Sequence, residues 1–331
     1  MNETKQLIAI AEQILEAGPD LVVRYRLLRD VLRLNSTDKR LVAARAGLEQ
    51  SRWVQLLRDE QEPDGGWGRF HSRDSRSPQK IAGTEAGVDR ALALGLDEEH
   101  PILKATVRYL VALLEERLPF PDPPEVNDRW PTGVRLFTAS TLAKIQPDHP
   151  ALDREWSLWA ALAERIFASG HYSAEEEVRA HRELTGATVA NSYLVFCNRY
   201  TVAMIAARAP ELLPHIEAAL VEWLWGKDGG LGYFGVTLHR PPERSAPTHL
   251  ELWLCSLELL VDFPSLKKWA EGAICWLWDQ QGEDGLWDFG PRSGVSWIFP
   301  LSESWRKPAN RAYDYTTRVL ALLRRYHQEE R

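Results

Sequence analysis

Cysteine is scarce in this chain: Cys197, Cys255 and Cys275 are the only three in 331 residues. None stands at C-x2-C spacing and each lies among apolar neighbours. They read as reduced, buried small hydrophobes of an intracellular protein, not as metal ligands or a disulfide framework. No apolar run reaches the length that spans a bilayer. The opening residues, MNETKQLIAIAEQILEAG, alternate charge with helical periodicity and lack the apolar centre of a signal peptide. An excess of positive charge is missing too. The net charge is −7, which argues against a general nucleic-acid binder with its basic face. No segment alternates apolar and polar residues as a half-buried strand does, and no P-loop, G-x-G-x-x-G or D-D-x-x-D motif occurs. These absences leave a soluble, cytoplasmic, all-α protein.

What is present is an ordinary globular balance of 44% hydrophobic and 26% charged residues, with an unusual 14 tryptophans against 9 phenylalanines. So many indoles imply large, partly buried aromatic surfaces. They also mark a repeat. The stretch QEPDGGWG around Asp64 has relatives at Asp228-Gly229-Gly230-Leu231-Gly232-Tyr233 and at Asp284-Gly285-Leu286-Trp287. Asp284 follows Asp228 by 56 residues, and Asp228 follows Asp64 by 164, close to three periods of about 55. Two further turns are then expected near residues 119 and 174, where LPFPDPPEV and ASGHYSAEEE stand. Six units of about 55 residues fill the chain as one domain, residues 1–331.

Between the turns the pattern is helical. Segments such as GTEAGVDRALALGL, GVRLFTASTLAKI, NSYLVFCNRYTVAMIAARA and YDYTTRVLALLRRY repeat apolar residues at three- and four-residue spacing. The breaks NSTDK, DEEHP, QPDHP, APELLP and DFPS carry the Asp, Ser, Thr and Pro residues that start a second helix. Such helical pairs stack as an open solenoid or close into a ring, and six units suit closure, which leaves no apolar end faces.

One copy of the turn is specific. In GAICWLWDQQGEDGLW, the residues Ala273, Trp276, Leu277, Gln281, Gly285 and Trp287 follow the order small, aromatic, aliphatic, glutamine, then G-x-W. This resembles the QW repeat of the terpenoid cyclase and protein prenyltransferase superfamily. Leu57, Gln61, Gly65 or Gly66, and Trp67 match it less fully. The middle copy keeps Ala219, Trp223 and Leu224, with Asp228 in place of the glutamine and Tyr233 in place of the tryptophan. The resemblance implies a single α/α toroid of squalene-cyclase-like repeats, about six helical hairpins around a central axis. It also implies that Gln61, Trp67, Gln281 and Trp287 are structural. Glutamine bonds backbone groups left free at a helix end while the indole covers the turn.

The same resemblance places a pocket at one end of the ring, near the starts of the inner helices. The polar and aromatic residues there are Lys80 and Glu85; Asp128, Trp130 and Arg135; Asn191, Tyr193 and Asn198; His249, Glu251 and Trp253; Tyr313, Asp314 and Arg318. An N-cap or solvated turn role competes for each. The D-x-D-D acid of alkene-protonating cyclases is missing, and the nearest substitutes are the lone acids Asp128 and Asp314, each beside aromatics. Aromatic walls suit a carbocation. No aspartate precedes a cysteine by two residues as the prenyltransferase zinc site requires, so no metal or cofactor is expected. The arginines of HSRDSRS and HRPPERS follow two of the turns and suit an anionic group.

Three functions stay open. One is an isoprenoid-acting protein with an apolar, aromatic-lined central cavity and Asp128 or Asp314 as acid, with peripheral membrane contact allowed. The second is a carbohydrate-active toroid, a lyase or hydrolase drawing on Glu85, Glu251, Asp314, His249 and Tyr313. The third is a non-catalytic scaffold.

Overall fold

The computed structural model describes residues 3–189, 192–243, 246–290 and 300–328. As the periodicity predicts, the chain is all-helical, with no strand among the described residues. In order the helices are α1 (Glu3–Glu16), α2 (Leu21–Arg26, continuing as a π-helical turn Leu27–Val31), α3 (Lys39–Leu48), α4 (Arg52–Glu60), α5 (Thr84–Ala93), α6 (Pro101–Leu114) and α7 (Trp130–Ile145). They continue as α8 (Asp153–Ile166), α9 (Ala174–Thr185), α10 (Arg199–Ala206), α11 (Pro214–Gly226), α12 (Pro247–Leu260), α13 (Lys267–Asp279) and α14 (Pro308–Tyr326).

The breaks in the sequence do start helices, each by a local mechanism. Asp38 caps α3 by accepting from the Arg40 N–H at 2.7 Å. His100 accepts from the Ile102 N–H ahead of α6, where Pro101 occupies the first helical position and has no N–H to leave unpaired. Pro214, Pro247 and Pro308 open α11, α12 and α14 in the same position. Two places differ from the periodic reading. The fourth unit carries an additional helix, α9, at the turn expected near 174. The helix expected from NSYLVF onward begins only at Arg199. There the Asn198 side chain accepts from the Tyr200 N–H, and the Gly232 N–H bonds the Cys197 carbonyl, so residues 192–198 are tied to the DGGLG turn and stay irregular.

Packing follows chain order. α6 and α10 lie on α7, α8 on α9, α10 on α12, and α14 on α13; α14 also packs on α1 and on the Leu27–Val31 turn, which brings the first and last described helices together. The core is leucine-rich and aromatic, and Trp67, Trp159, Trp253 and Trp287 are fully buried. Burying such a side chain stabilises by roughly 1.5–3 kcal/mol, against backbone ordering that costs about 1–2 kcal/mol per residue. Of the cysteines, Cys197 and Cys255 are half-buried and Cys275 is exposed, so the expectation of a buried thiol fails there. Cys275 lies on the solvent side of α13, whose buried stripe runs through Ala270, Ala273, Ile274 and Leu277. No described helix is long and apolar enough to cross a membrane.

Candidate functional site

The tryptophan turns are built alike. The Trp67 indole donates to the Leu57 carbonyl at 2.9 Å and its backbone N–H donates to Thr84 Oγ1 at 3.0 Å. The Trp287 indole donates to the Leu277 carbonyl at 2.6 Å, and its N–H to Thr316 Oγ1 at 2.9 Å. Each turn therefore ties the end of one helix to the next, at the start of α5 in the first case and within α14 in the second. Gln61 donates to the carbonyls of Gly65 and Ile102 and lies 3.0 Å from Thr106 Oγ1, joining its turn to α6; Gln281 donates to the Gly285 carbonyl at 2.9 Å. In the middle copy Leu231 is buried at the turn and Tyr233 is exposed. The indole that closes this region is Trp253, whose N–H bonds the Leu238 carbonyl at 2.9 Å.

Just beyond Trp67 the chain assembles a polar cluster. Asp122, from the segment after α6, accepts the backbone N–H groups of Phe70, His71 and Ser72 and so fixes the backbone at His71. The His71 ring stacks on Phe137 with centroids 4.9 Å apart. Its Nδ1 lies 2.7 Å from the Tyr200 hydroxyl and 3.1 Å from Glu85 Oε2. Tyr200 also reaches Glu85 Oε2 at 2.9 Å, and Arg199 donates to the Tyr200 oxygen at 3.0 Å and to Glu85 Oε1. Glu85, Arg199 and Tyr200 stand in the first turns of α5 and α10, so two helix starts and one anchored loop make the cluster.

The electrostatics of the cluster separate its members. Burial alone would lift the Glu85 pKa, but the Arg199 guanidinium beside it outweighs burial and holds it at about 2. Glu85 is therefore a fixed anion. Burial works against the Arg199 charge as well, and the Glu85 carboxylate overrides it, so Arg199 stays cationic. Burial, then the nearby Glu85 charge, push the Tyr200 phenol up. His71 differs in access. Its side chain is 32% exposed, and the ring's hydrogen-bond contacts to Tyr200 and Glu85 both run through Nδ1. With Nδ1 held from behind, Nε2 is the atom free to take or give a proton.

Aromatic rings continue outward from the cluster. Phe137 touches both His71 and Tyr193, Phe120 packs on Phe70 and on Trp130, and Tyr233 sets its ring against His71 and Tyr200. Tyr193 also approaches Glu125, 3.4 Å from its hydroxyl. Of the residues singled out from the sequence, Glu85, Tyr193 and Asn198 gather here, and Trp130 lies at the edge. Asn198 is 2% exposed and serves as the α10 cap.

The others are placed elsewhere. Asp128 is exposed, and the hydrogen bond from the Thr188 hydroxyl at 2.7 Å holds its pKa below the ordinary value. Such a carboxylate holds no proton to give near neutral pH. Arg135 pairs with Glu155 and Glu116 and bonds the Leu114 carbonyl. Lys80 is exposed, and its backbone N–H bonds Glu60. His249 is exposed at the start of α12, and Tyr313 is half-buried on α14. Of the arginine segments, Arg76 pairs with Asp74 at 3.4 Å, and Arg73 and Arg240 are exposed. Asn191, Arg244 and Ser245 lie outside the described residues.

Asp314 is buried and accepts from the Leu301 and Ser302 N–H groups, the Ser302 hydroxyl and the Trp305 indole. Burial raises its pKa, against the pull of those donors. All its acceptor positions are spent on holding the 301–305 segment. Glu251 is fully buried and accepts from the Tyr315 hydroxyl at 2.7 Å.

A cavity of about 970 Å³ runs along the helices, from Arg199 to the segment after α10 at Pro210 and from Asp314 to Arg325 on α14. α2 and its π turn, α5, α7 and α12 supply the remaining walls. Its surface mixes small aliphatic side chains, among them Ala93, Ala143, Ala203 and Ala321, with ion pairs. Arg318 pairs with Glu258 at 2.5 Å and donates to Cys255 Sγ at 3.1 Å, and Lys144 pairs with Asp89 at 2.8 Å. The aromatic lining expected from the sequence reduces to Tyr200, Phe234, Trp305 and Tyr315. No group of three metal-binding side chains occurs among the described residues.

Sequence reasoning missed His71, Asp122, Arg199 and Tyr200. Their only sequence signal was position, directly after a tryptophan turn or at a helix start. Comparison with protein-family models, with characterised proteins and with solved structures gives no match.

Proposed function

We propose that the helical pairs close into a single α/α toroid of the terpenoid cyclase and prenyltransferase kind, and that its His71 face acts on an acidic carbohydrate by proton transfer. Support for the toroid comes from the repeated tryptophan turns, the contact between α1 and α14, and the cavity walled by six helices. The carbohydrate reading rests on one observation above all. A half-exposed histidine has Nδ1 within hydrogen-bond reach of a buried tyrosine and glutamate, and stands beside the exposed ring of Tyr233.

Elimination suits this site better than hydrolysis. A hydrolase needs a protonated carboxyl beside the scissile oxygen, and Arg199 keeps Glu85 ionised. In an elimination, His71 Nε2 takes the proton from the carbon next to a uronate carboxylate. That electron pair forms a carbon–carbon double bond as the glycosidic oxygen leaves, and the oxygen recovers a proton from the imidazolium. Glu85 stabilises the imidazolium and Tyr200 orients the ring. Incubation with polygalacturonate, polymannuronate and hyaluronan, followed by the ultraviolet absorbance of unsaturated sugar ends, tests this. Release from at least one polymer is expected. No release from any of them ends the reading.

An isoprenoid-binding role is favoured by a different feature, the small aliphatic walls of the cavity and its Phe234, Trp305 and Tyr315 rings. Mass spectrometry of lipid extracted from the purified protein separates the two, because the carbohydrate reading expects the cavity to carry no prenyl chain.

A further inference from the structure

Tyr233 has a backbone φ of +71°, which an L-residue adopts only at a conformational cost that glycine does not bear. The turn around it, DGGLGYFG, uses glycine freely. Gly229, Gly230 and Gly235 all take positive φ, at +75°, +51° and +66°. A glycine at 233 would relieve strain, yet a tyrosine stands there with 52% of its surface exposed. Its hydroxyl makes no hydrogen bond among the described residues, so no hydrogen bond offsets the strain. What the ring does have is position. Its centroid lies 6.2 Å from that of His71 and 5.7 Å from that of Tyr200, nearly perpendicular to both, with the Arg199 guanidinium 6.0 Å away. A large aromatic surface is thus held next to the half-exposed ring of His71.

We infer that Tyr233 is a stacking platform that seats a pyranose ring of an acidic oligosaccharide beside His71 Nε2. The apolar C–H face of a sugar carries partial positive charge and meets the negative face of an aromatic ring, while the ring hydroxyls stay in water. The strained backbone then has a purpose: it turns the side chain out of the core and over the cluster. A mobile loop residue in an ordinary conformation would not hold that direction. This inference rests on the carbohydrate reading above and adds the residue that positions the substrate.

The test is calorimetric titration with hexagalacturonate, hexamannuronate and a hyaluronan hexasaccharide, using a chain that carries His71→Gln so that the sugar is not consumed. Melting temperature is recorded for every variant. Tyr233→Phe should bind as the parent does, since the ring face is kept. Tyr233→Ala should bind about tenfold more weakly, the size of a lost aromatic contact. Tyr233→Gly should weaken binding as much while melting higher than the parent, because it releases backbone strain. A glycine variant that binds as tightly as the parent overturns the platform and leaves the carbohydrate reading standing. Loss of binding in Tyr233→Phe assigns the effect to the hydroxyl and overturns stacking. A parent that binds none of the three overturns both.

Discussion

At Trp67 and at Trp287 an indole bonds a carbonyl ten residues back, and a backbone N–H bonds a threonine of the next helix, Thr84 at the start of α5 in one case and Thr316 within α14 in the other. Beyond that shared frame the two turns diverge. After Trp67, the carboxylate of Asp122 gathers three successive N–H groups from outside the segment, and the segment delivers a half-exposed histidine. After Trp287, the carboxylate of Asp314 gathers N–H groups of the 301–305 segment, and that segment closes over the carboxylate. The same device, a buried acid collecting backbone donors, supports an open site in one place and seals an acid away in the other. A lone acid beside aromatics is therefore poor evidence for proton donation until its own acceptors are counted.

The largest effects should fall on the shared frame. Trp67→Ala and Trp287→Ala are each expected to destabilise by about 3–5 kcal/mol, read by urea denaturation. A difference of several kcal/mol between them would show that the frames are not equivalent. Function should then divide where the frames diverge. His71→Ala is expected to lower polyuronate cleavage by at least about a hundredfold with little change in melting. Asp314→Asn should lower the melting temperature and leave kcat/KM of the folded protein nearly intact. Equal loss of kcat/KM in both would return Asp314 to the chemistry.

Acid titration sharpens the contrast, because the two buried acids shift in opposite directions. Glu85 is held near 2 in the folded state, below its ordinary value of 4.5. The stability it contributes is fully present above pH 4.5 and is lost as pH falls toward 2, on the order of 3 kcal/mol. Asp314 is raised, so its contribution runs the other way and is lost as pH rises through its folded value. Unfolding free energies between pH 2 and 6 should show a shallower acid loss for Glu85→Gln and a steeper one for Asp314→Asn. Parallel profiles would remove the distinction. The smallest effect concerns the fit of the indole. A methyl group at Gly87 would meet the Trp67 ring at 2.5 Å, whereas Val319 occupies the matching position counted from Thr316. Gly87→Ala should cost about 1–3 kcal/mol, while Val319→Ala should cost an ordinary truncation. Differential scanning calorimetry checks both, and an unchanged Gly87→Ala would mean that the ring has room to move.

Helix type, break positions and the tryptophan turns were legible because each depends on residues within a few positions of one another. Pro101, Asp38 and the DG turns act locally, and the chain alone specifies what they do. The His71 cluster was not legible for the opposite reason. Glu85 meets Arg199 across 114 positions, and Asp122 meets His71 across 51. No period or motif announces those pairings. Glu85 and Asn198 were selected for their place at helix starts, and only packing reveals that one holds an ion pair and the other a cap. The extra helix α9 escaped because a period of about 55 residues says where a unit turns and nothing about what is inserted there.

The meeting of α14 with α1 and the Leu27–Val31 turn bears on how the molecule is made. α14 is 19 residues long and is the last of the described helices to leave the ribosome. Until it does, the faces of Leu7, Ile14, Leu27 and Val31 that end at 0–1% exposure lack part of their cover. Synthesis at about 5–20 residues per second leaves them waiting for many seconds. Until α14 docks, those faces have only each other and the solvent to meet, so the fold closes late in synthesis.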